Sequence, residues 1–174
     1  SAANSRWQPA DLEEAASSPT QKAIFGFGYT GNDSNNSNVT NLVSSSGVVA
    51  SDTTGVGSAR GYLAAAGYGG DKAIFGFGNI LNGSRTNVTN LVSNAGVVST
   101  DTTGVGTAKS GIAASGYGGD KAIFGFGFDN STSSHTNVTN LVSNSGVVST
   151  DQTGVGTARY SLAAAGFGST GQAL

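Results

Sequence analysis

One block of sequence recurs three times along the chain and constrains its fold more than any other feature. Each copy begins Lys-Ala-Ile-Phe-Gly-Phe-Gly, at Lys22, Lys72 and Lys121, so the copies lie 50 and 49 residues apart. A period near 50 residues is too long for one turn of a β-solenoid. It is typical of propeller blades, in which each repeat supplies one four-stranded sheet. The repeats define an N-terminal segment 1–21, three units 22–71, 72–120 and 121–168, and a C-terminal tail 169–174.

Four strands can be placed in each copy, so the expected fold class is all-β. The opening stretch alternates in a way that puts Ile24 opposite Phe25 and Phe27. Asn-Val-Thr-Asn-Leu-Val-Ser predicts a half-polar strand nearer the edge, and the Gly-Val-Val stretch predicts the outermost strand. The Ala-rich run that ends each copy is also compatible with a helix. However, the Gly-Tyr-Gly-Gly-Asp turn after it leads straight into the next apolar strand, which favours an innermost strand of small residues.

Composition argues against several classes of protein. Charged residues make up 10% of the chain and the formal net charge is -2, which is unlike the basic footprint of a nucleic-acid-binding protein. Cysteine is absent, which excludes a disulfide framework and a thiolate metal site. No apolar run approaches the roughly 20 residues that a membrane-spanning helix needs. We therefore expect no nucleic-acid partner and no membrane span.

The order of these strands resembles the kelch repeat, over residues 22–168. In that family a strand ends in a double glycine, two outer strands follow, and a loop with an arginine precedes a small-residue inner strand. The glycine mark here is Gly-Phe-Gly, and the family's fourth-strand tryptophan is absent, so the resemblance is to blade layout. Arrays of the Lys-Ala-Ile-Phe-Gly type also resemble virion proteins of aquatic bacteriophages. The loop cation of the kelch-like pattern is Arg60, Lys109 and Arg159 in the three copies.

The chain begins its first blade at the second strand and ends its last blade at the first strand. Two blades are therefore intact, and one is split between residues near 22–28 and residues near 160–168. Closure within one chain gives three blades, whereas propellers typically have about four to eight. Two chains give six blades, with each split blade built from both subunits. We predict a closed homodimer, ahead of a nine-bladed trimer or a single-chain ring.

Residues 1–21 lie outside the repeat and carry the only tryptophan of the chain. Trp7 and Leu12 are candidate anchors of a docking segment that joins the chain to a larger assembly, because large apolar side chains often dominate binding. The alternative is a leader that stays free or folds back on its own domain.

The copies differ in length only in the loop after the Gly-Phe-Gly mark, at 29–37, 79–86 and 128–136. Loops on a rigid scaffold are a usual place for binding, so we predict that they recognise a glycan or another protein. The alternative is tolerated surface variation, since loops accept insertions easily. The candidate binding residues are Tyr29, Asn32, Asp33, Asn79, Asn82, Arg85, Phe128, Asp129, Asn130 and His135.

A second repeated set is the aspartate of the Asp-x-Thr-Gly-Val-Gly run, at Asp52, Asp101 and Asp151. The kelch resemblance implies that these aspartates and the loop cations lie near the face that carries the variable loops. One carboxylate per run is too few for a calcium site, which takes about six to eight oxygens. We expect the aspartates to cap turns, or to pair with the cation of the same or the next blade. These roles are structural, and no metal or cofactor is expected.

The only histidine, His135, has no carboxylate or cysteine partner at a matching repeat position, so we expect no catalytic site. The sequence therefore favours a non-enzymatic structural and interaction protein, virion-associated or extracellular, which displays its variable loops for adhesion or decoration. The alternative is a multivalent glycan-binding lectin.

Overall fold

A computed structural model describes residues 21–31 and 35–168. The described residues form β-strands joined by turns, with one single-turn 3-10 helix and no α-helix, which confirms the all-β prediction. In chain order the elements are β1 (Ala23–Tyr29), β2 (Asn36–Val43), β3 (Ala64–Tyr68), β4 (Lys72–Gly76), the 3-10 turn Leu81–Gly83, β5 (Thr89–Val92), β6 (Lys109–Ser110), β7 (Ala113–Tyr117), β8 (Lys121–Gly125), β9 (Phe128–Asp129), β10 (Ser134–His135) and β11 (Thr139–Val142).

Two sheets are complete and follow the predicted strand order. In the second sheet β4 lies between β3 and β5, and in the third sheet β8 lies between β7 and β11, all antiparallel. The small-residue runs of β3 and β7 are strands, as predicted. The outermost segment meets its neighbour at two isolated bridges, Thr89↔Thr102 and Val92↔Val98 in the second sheet. It is therefore a looser edge than the predicted fourth strand.

The first sheet has no inner strand in the part of the chain that the structure describes. Among the described residues β1 pairs with β2 alone, and the matching small-residue run at 163–167 lies in no strand. The described residues therefore do not pair the small-residue run of the third copy with the first sheet, and the sheet split between the ends stays a prediction. The structure thus shows a succession of small antiparallel sheets along the described residues.

Packing between sheets depends on the Gly-Phe-Gly mark. Phe75 packs on Phe27 of the first sheet at 5.1 Å between ring centroids, and Phe124 packs on Phe77 at 5.2 Å. A Cβ added to Gly76 would lie 2.9 Å from the Phe124 ring, so the glycine makes room for the next sheet. Both faces of the second sheet are covered, which is why its isoleucine and its first phenylalanine are both buried on opposite sides of one strand.

The phenylalanine inside each mark has an unusual backbone. Phe27, Phe77 and Phe126 have φ values of 66, 64 and 64°, in the left-handed region that most side chains avoid. In the first sheet the strand register shifts between Gly26 and Gly28, which marks a β-bulge.

Candidate functional site

The variable loops of the second and third copies lie against each other. The Arg85 guanidinium lies over the Phe128 ring, 4.7 Å from its centroid. Its Nη1 donates a hydrogen bond to Asn130 Oδ1, and its Nε donates to Ser110 Oγ at 3.1 Å. An arginine face on an aromatic ring is an attractive arrangement. The two loops therefore form one joint surface, which we call the loop surface.

Backbone pairing anchors these loops to the segment before the inner strand. In the third copy β9 pairs with both β6 and β10, so Phe128 and Asp129 are held between two short strands. In the second copy Asn79 makes bridges to Gly61 and to Arg85. The loop surface is thus attached to a rigid frame.

Asp129 organises its own loop. Its carboxylate accepts hydrogen bonds from the Ser131 backbone N–H at 2.7 Å, from Ser131 Oγ at 2.8 Å and from Thr132 Oγ1 at 3.1 Å. Burial by itself raises the pKa of Asp129, but the hydrogen bonds from Ser131 and Thr132 outweigh burial, and the pKa is lowered. The side chain is buried, so its described contacts serve the fold of the loop.

The aromatic candidates pack in pairs at the same side of their loops. His135 stacks on Tyr160 with ring centroids 4.7 Å apart and 14° between planes, and meets Phe128 edge-on at 5.6 Å. Tyr29 meets Tyr62 edge-on at 5.1 Å. His135 is exposed, and these described neighbours are rings, so its geometry suits surface packing.

A cleft of about 450 Å³ opens beside the loop surface. It presents one guanidinium, one carboxylate, one side-chain amide and several hydroxyls, groups that hydrogen-bond to polar ligands. Such groups can bind and orient a ligand. The cleft is lined by Ser84, Arg85, Thr107, Ala108, Asp129, Asn130 and Ser131.

The remaining loop candidates are dispersed. The Asn79 carbonyl accepts a hydrogen bond from Asn36 Nδ2 at 3.0 Å, and Asn82 has a φ of 70° within the 3-10 turn, a conformation that asparagine tolerates. Asn32 and Asp33, like the docking candidates Trp7 and Leu12, lie outside the described residues.

Four of the repeated charged residues, two cations and two aspartates, lie between sheets and not on the loop surface: Arg60, Lys109, Asp101 and Asp151. At the first junction, between the first and second sheets, Arg60 is fully buried and its guanidinium lies over the Phe27 ring at 4.6 Å. Its Nη2 donates to Asn90 Oδ1 at 2.5 Å, and its Nη1 lies 3.5 Å from Asp101 Oδ1. The cation of one copy therefore pairs with the aspartate of the next, one of the arrangements that the sequence left open.

Asp101 also fastens the loop before Arg60. It accepts hydrogen bonds from the Ser58 backbone N–H at 3.1 Å, from Ser58 Oγ at 2.6 Å and from Asn90 Nδ2 at 2.9 Å. Burial alone raises the pKa of Asp101, but these hydrogen bonds and the charge of Arg60 together lower it. Burial also lowers the pKa of Arg60, against the attraction of Asp101.

The second junction, between the second and third sheets, repeats this design with a lysine. Lys109 is fully buried, and its Nζ donates to Asn140 Oδ1 at 2.8 Å and to the Val138 carbonyl at 3.3 Å. Asp151 accepts from Thr107 Oγ1 at 2.6 Å and acts on Lys109 through its charge without an ion-pair contact. Burial lowers the pKa of Lys109 to about 8 in spite of the charges of Asp151 and Asp129.

The third member of each set lies at an end of the chain's row of sheets. Asp52, in the first sheet, accepts a hydrogen bond from Asn41 Nδ2 at 2.8 Å. Arg159, after the third sheet, lies over the Phe126 ring at 4.6 Å and donates to the Thr157 carbonyl at 3.2 Å. Asp52 and Arg159 therefore lie at opposite ends of the series of cation–aspartate junctions within the chain.

Sequence reasoning missed the buried asparagines of the junctions. Asn90 and Asn140 are fully buried and join the cation to the aspartate. A signal was present, because asparagine is disfavoured in strands, yet all three copies place it in the middle of one, at Asn41 in the first.

The described residues contain no group of three or more His, Asp or Glu side chains placed to hold a metal ion. A helix long and apolar enough to cross a membrane is likewise not found in the part of the chain that is described. Comparison with protein-family models and with curated protein sequences found no match. The kelch and virion resemblances therefore remain hypotheses that rest on the residues themselves.

Proposed function

We propose that this chain is a non-enzymatic structural and interaction protein that displays its variable loops for adhesion or decoration. One observation carries the proposal: Arg85 of one loop is bound by Phe128 and Asn130 of the next. The variable loops of the second and third copies are thus joined in one surface, while the packing between sheets repeats. A frame of this kind allows loops to change without loss of the fold.

We further propose that the protein is part of a virion or is located elsewhere outside the cell. The resemblance of the repeat to arrays in phage virion proteins supports it, and the N-terminal segment 1–21 supplies a candidate attachment through Trp7 and Leu12. A chain without residues 1–21 should keep its fold, by circular dichroism, and lose incorporation into the source particle. Incorporation at the full level would show that the segment is not the anchor.

Loop replacement tests display directly. Residues 80–84 and 130–133 are replaced by Gly-Ser, and the control replaces Asn94 and Ala95, in an exposed turn of the second copy, by Gly-Ser. We expect the loop variant to enter the particle at the normal copy number and to reduce attachment of the particle to cells at least tenfold. The control should leave attachment unchanged. Equal attachment by all three chains would contradict the proposal.

Glycan binding is the second candidate, and the cleft beside the loop surface favours it. Sugars are bound through hydrogen bonds from groups such as the guanidinium of Arg85 and the amide of Asn130, next to an aromatic ring. Equivalent weak sites on an oligomer would add avidity. On a glycan array, specific binding by the normal chain that is lost in Arg85→Ala, but kept in Lys72→Ala, would support the lectin. Absence of specific binding by the normal chain would rule against it.

A further inference from the structure

We infer that the two ends of the chain bind each other between copies, so that the tail of one molecule completes the head of a second. The inference goes beyond loop display and does not depend on it. The head consists of residues of the first sheet, and the tail consists of residues of the third copy whose equivalents in the first and second copies contact the following sheet. The head residues are Phe25, Asn41 and Asp52, and the tail residues are Gly125, Phe126, Thr157 and Arg159.

The apolar part of the head is a phenylalanine without the cover that its counterparts have. Phe25 is 63% exposed, whereas the equivalent Phe75 and Phe124 are 4% and 0% exposed. Each buried ring is covered by the preceding sheet, through its Gly-Phe-Gly mark. Burying such a side chain removes apolar surface from water and stabilises the contact. Phe25 is thus the equivalent, in the head, of the ring that a preceding sheet covers at each junction inside the molecule.

The apolar part of the tail is the surface beside Gly125, which corresponds to the surfaces that the phenylalanine of a following sheet covers at the two junctions. Atoms of Phe75 lie 3.1 Å from the position of a Cβ on Gly26, and atoms of Phe124 lie 2.9 Å from that position on Gly76. At Gly125 the atoms nearest to this position belong to Thr139, which is in the same sheet. Phe126, next to it, is less buried than Phe77. A phenylalanine from a following sheet can therefore pack beside Gly125 and Phe126.

The polar part of the head is already arranged as an acceptor. Asn41 Nδ2 donates to Asp52 Oδ1 at 2.8 Å, as Asn90 does to Asp101 at 2.9 Å in the first junction. This hydrogen bond turns the amide so that, in the first junction, its Oδ1 receives the Arg60 guanidinium. The head therefore holds the asparagine and the aspartate in the geometry that binds a cation.

The polar part of the tail is arranged as the donor. Arg159 lies 4.6 Å from the Phe126 centroid and donates to the Thr157 carbonyl at 3.2 Å, values equal to those of Arg60 with Phe27 and with the Ser58 carbonyl. The guanidinium is therefore positioned before any partner arrives. Preorganisation reduces the entropy lost on binding.

The inner strand missing from the first sheet is supplied by the same contact. In the second sheet Ala64 pairs with Gly76 and Tyr68 pairs with Lys72. The same register places residues 163–167 of one copy beside residues 22–26 of another. Phe167, which corresponds to the buried Tyr68, is fully exposed in the single chain. Backbone pairing and burial of Phe167 would thus accompany the ion pair.

A second copy is the occupant that these observations select, because every group on each end matches a group on the other. Head-to-tail contacts close a ring when the rotation allows it. Two chains joined by two such contacts make the six-bladed ring predicted from the sequence, within the usual range of about four to eight blades. Closure of one chain on itself would make only three.

Charge reversal at the two ends provides the test. Asp52→Arg and Arg159→Asp are each measured alone and in equal mixture, by light scattering after gel filtration. The normal chain should have twice the 17.1 kDa monomer mass. Each variant alone should dissociate at a concentration at least 100-fold higher. The mixture should recover the dimer, because one contact is then normal and the other pairs the two new charges.

Matched controls change charge where no end is involved. Asp71→Arg and Lys72→Asp alter an exposed hairpin by the same charges and should leave the mass unchanged. A normal chain that stays monomeric at all concentrations would overturn the inference, as would end variants that associate like the normal chain. Loop replacements should not affect association, so this result is separate from loop display.

A crosslink gives a second measurement, since the chain has no cysteine of its own. Ala164→Cys is introduced in one chain and Phe25→Cys in another, positions that face each other in the inferred register. Oxidation of the mixture should give a disulfide-linked heterodimer as the main product. Val97→Cys, at an exposed outer edge, replaces Phe25→Cys in the control. Equal yields from both mixtures would count against the register.

Discussion

The first and second junctions place different cations on the same scaffold. Arg60 reaches both an asparagine and an aspartate, whereas Lys109 reaches the asparagine and a backbone carbonyl and stays out of contact with Asp151. The planar guanidinium presents several donors at once, while an ammonium is a compact point charge. Both side chains are fully buried, so the difference in partners decides how well each charge is compensated.

The comparison teaches that the repeat tolerates a change of cation because the surrounding hydrogen bonds do not depend on it. Asp101 and Asp151 each bind the hydroxyl and the N–H of a loop residue and the amide of an asparagine. These bonds hold the neighbouring sheets together at both junctions. At the first junction the charge of Arg60 is compensated by its contact with Asp101. At the second junction Lys109 adds the energetic cost of a buried charge.

The largest effect is expected when the aspartate of the first junction is removed. Asp101→Ala leaves Arg60 buried without its counterion, which should lower the free energy of unfolding by about 3 kcal/mol. Asp52→Ala, the same change at the head, should cost less than about 1 kcal/mol, because its described hydrogen bond is exposed. Urea unfolding measures both, in chains that also carry Arg159→Ala so that self-association does not contribute. Equal costs would mean that the junction does not stabilise the fold.

The next effect is a pH dependence confined to the second junction. The pKa of Lys109 is about 8 in the folded chain, and a free lysine titrates near 10.4. Between these values the unfolded chain binds more protons, so stability rises with pH. The burial cost is fully present below about pH 8, and the gain from pH 7 to pH 9.5 should be about 2 kcal/mol.

Lys109→Arg isolates this pH effect, since arginine stays charged throughout the range. Every other residue is the same in both chains, so the difference between their urea midpoints reports position 109. We expect the arginine chain to be the more stable at pH 7, with an advantage that shrinks as the pH rises. A difference that is constant from pH 7 to pH 9.5 would contradict the pKa and its cause.

These junctions also show how far the sequence could be read. The threefold repeat predicted the order of the strands within a sheet, because strand pairing within a repeat is local. It left open whether Arg60 pairs with Asp52 of its own copy or with Asp101 of the next, since a repeat offers an aspartate in every copy and does not say which sheet packs on which. Only the packing of one sheet on another decides this, through Phe75 against Phe27.

The loop surface was predictable in position but not in detail. Length variation identified the loops, yet the contact of Arg85 with Asn130 joins residues 45 positions apart that have no counterpart in the first copy. The burial of Asp129, which turns a candidate ligand group into a part of the loop's own structure, depends on short strands that no periodicity predicts.

The smallest effect tests whether the shared half of the two junctions is equivalent. Ser58 Oγ donates to Asp101 at 2.6 Å, and Thr107 Oγ1 donates to Asp151 at the same distance. Ser58→Ala and Thr107→Val each remove one hydroxyl with little change in shape, and each should lower the free energy of unfolding by about 1 kcal/mol. We expect the two costs to agree within about 0.5 kcal/mol. A clearly larger cost for Thr107→Val would mean that Asp151, which lacks the direct ion pair, depends more on its hydroxyl, and that cation and hydroxyl contribute together instead of separately.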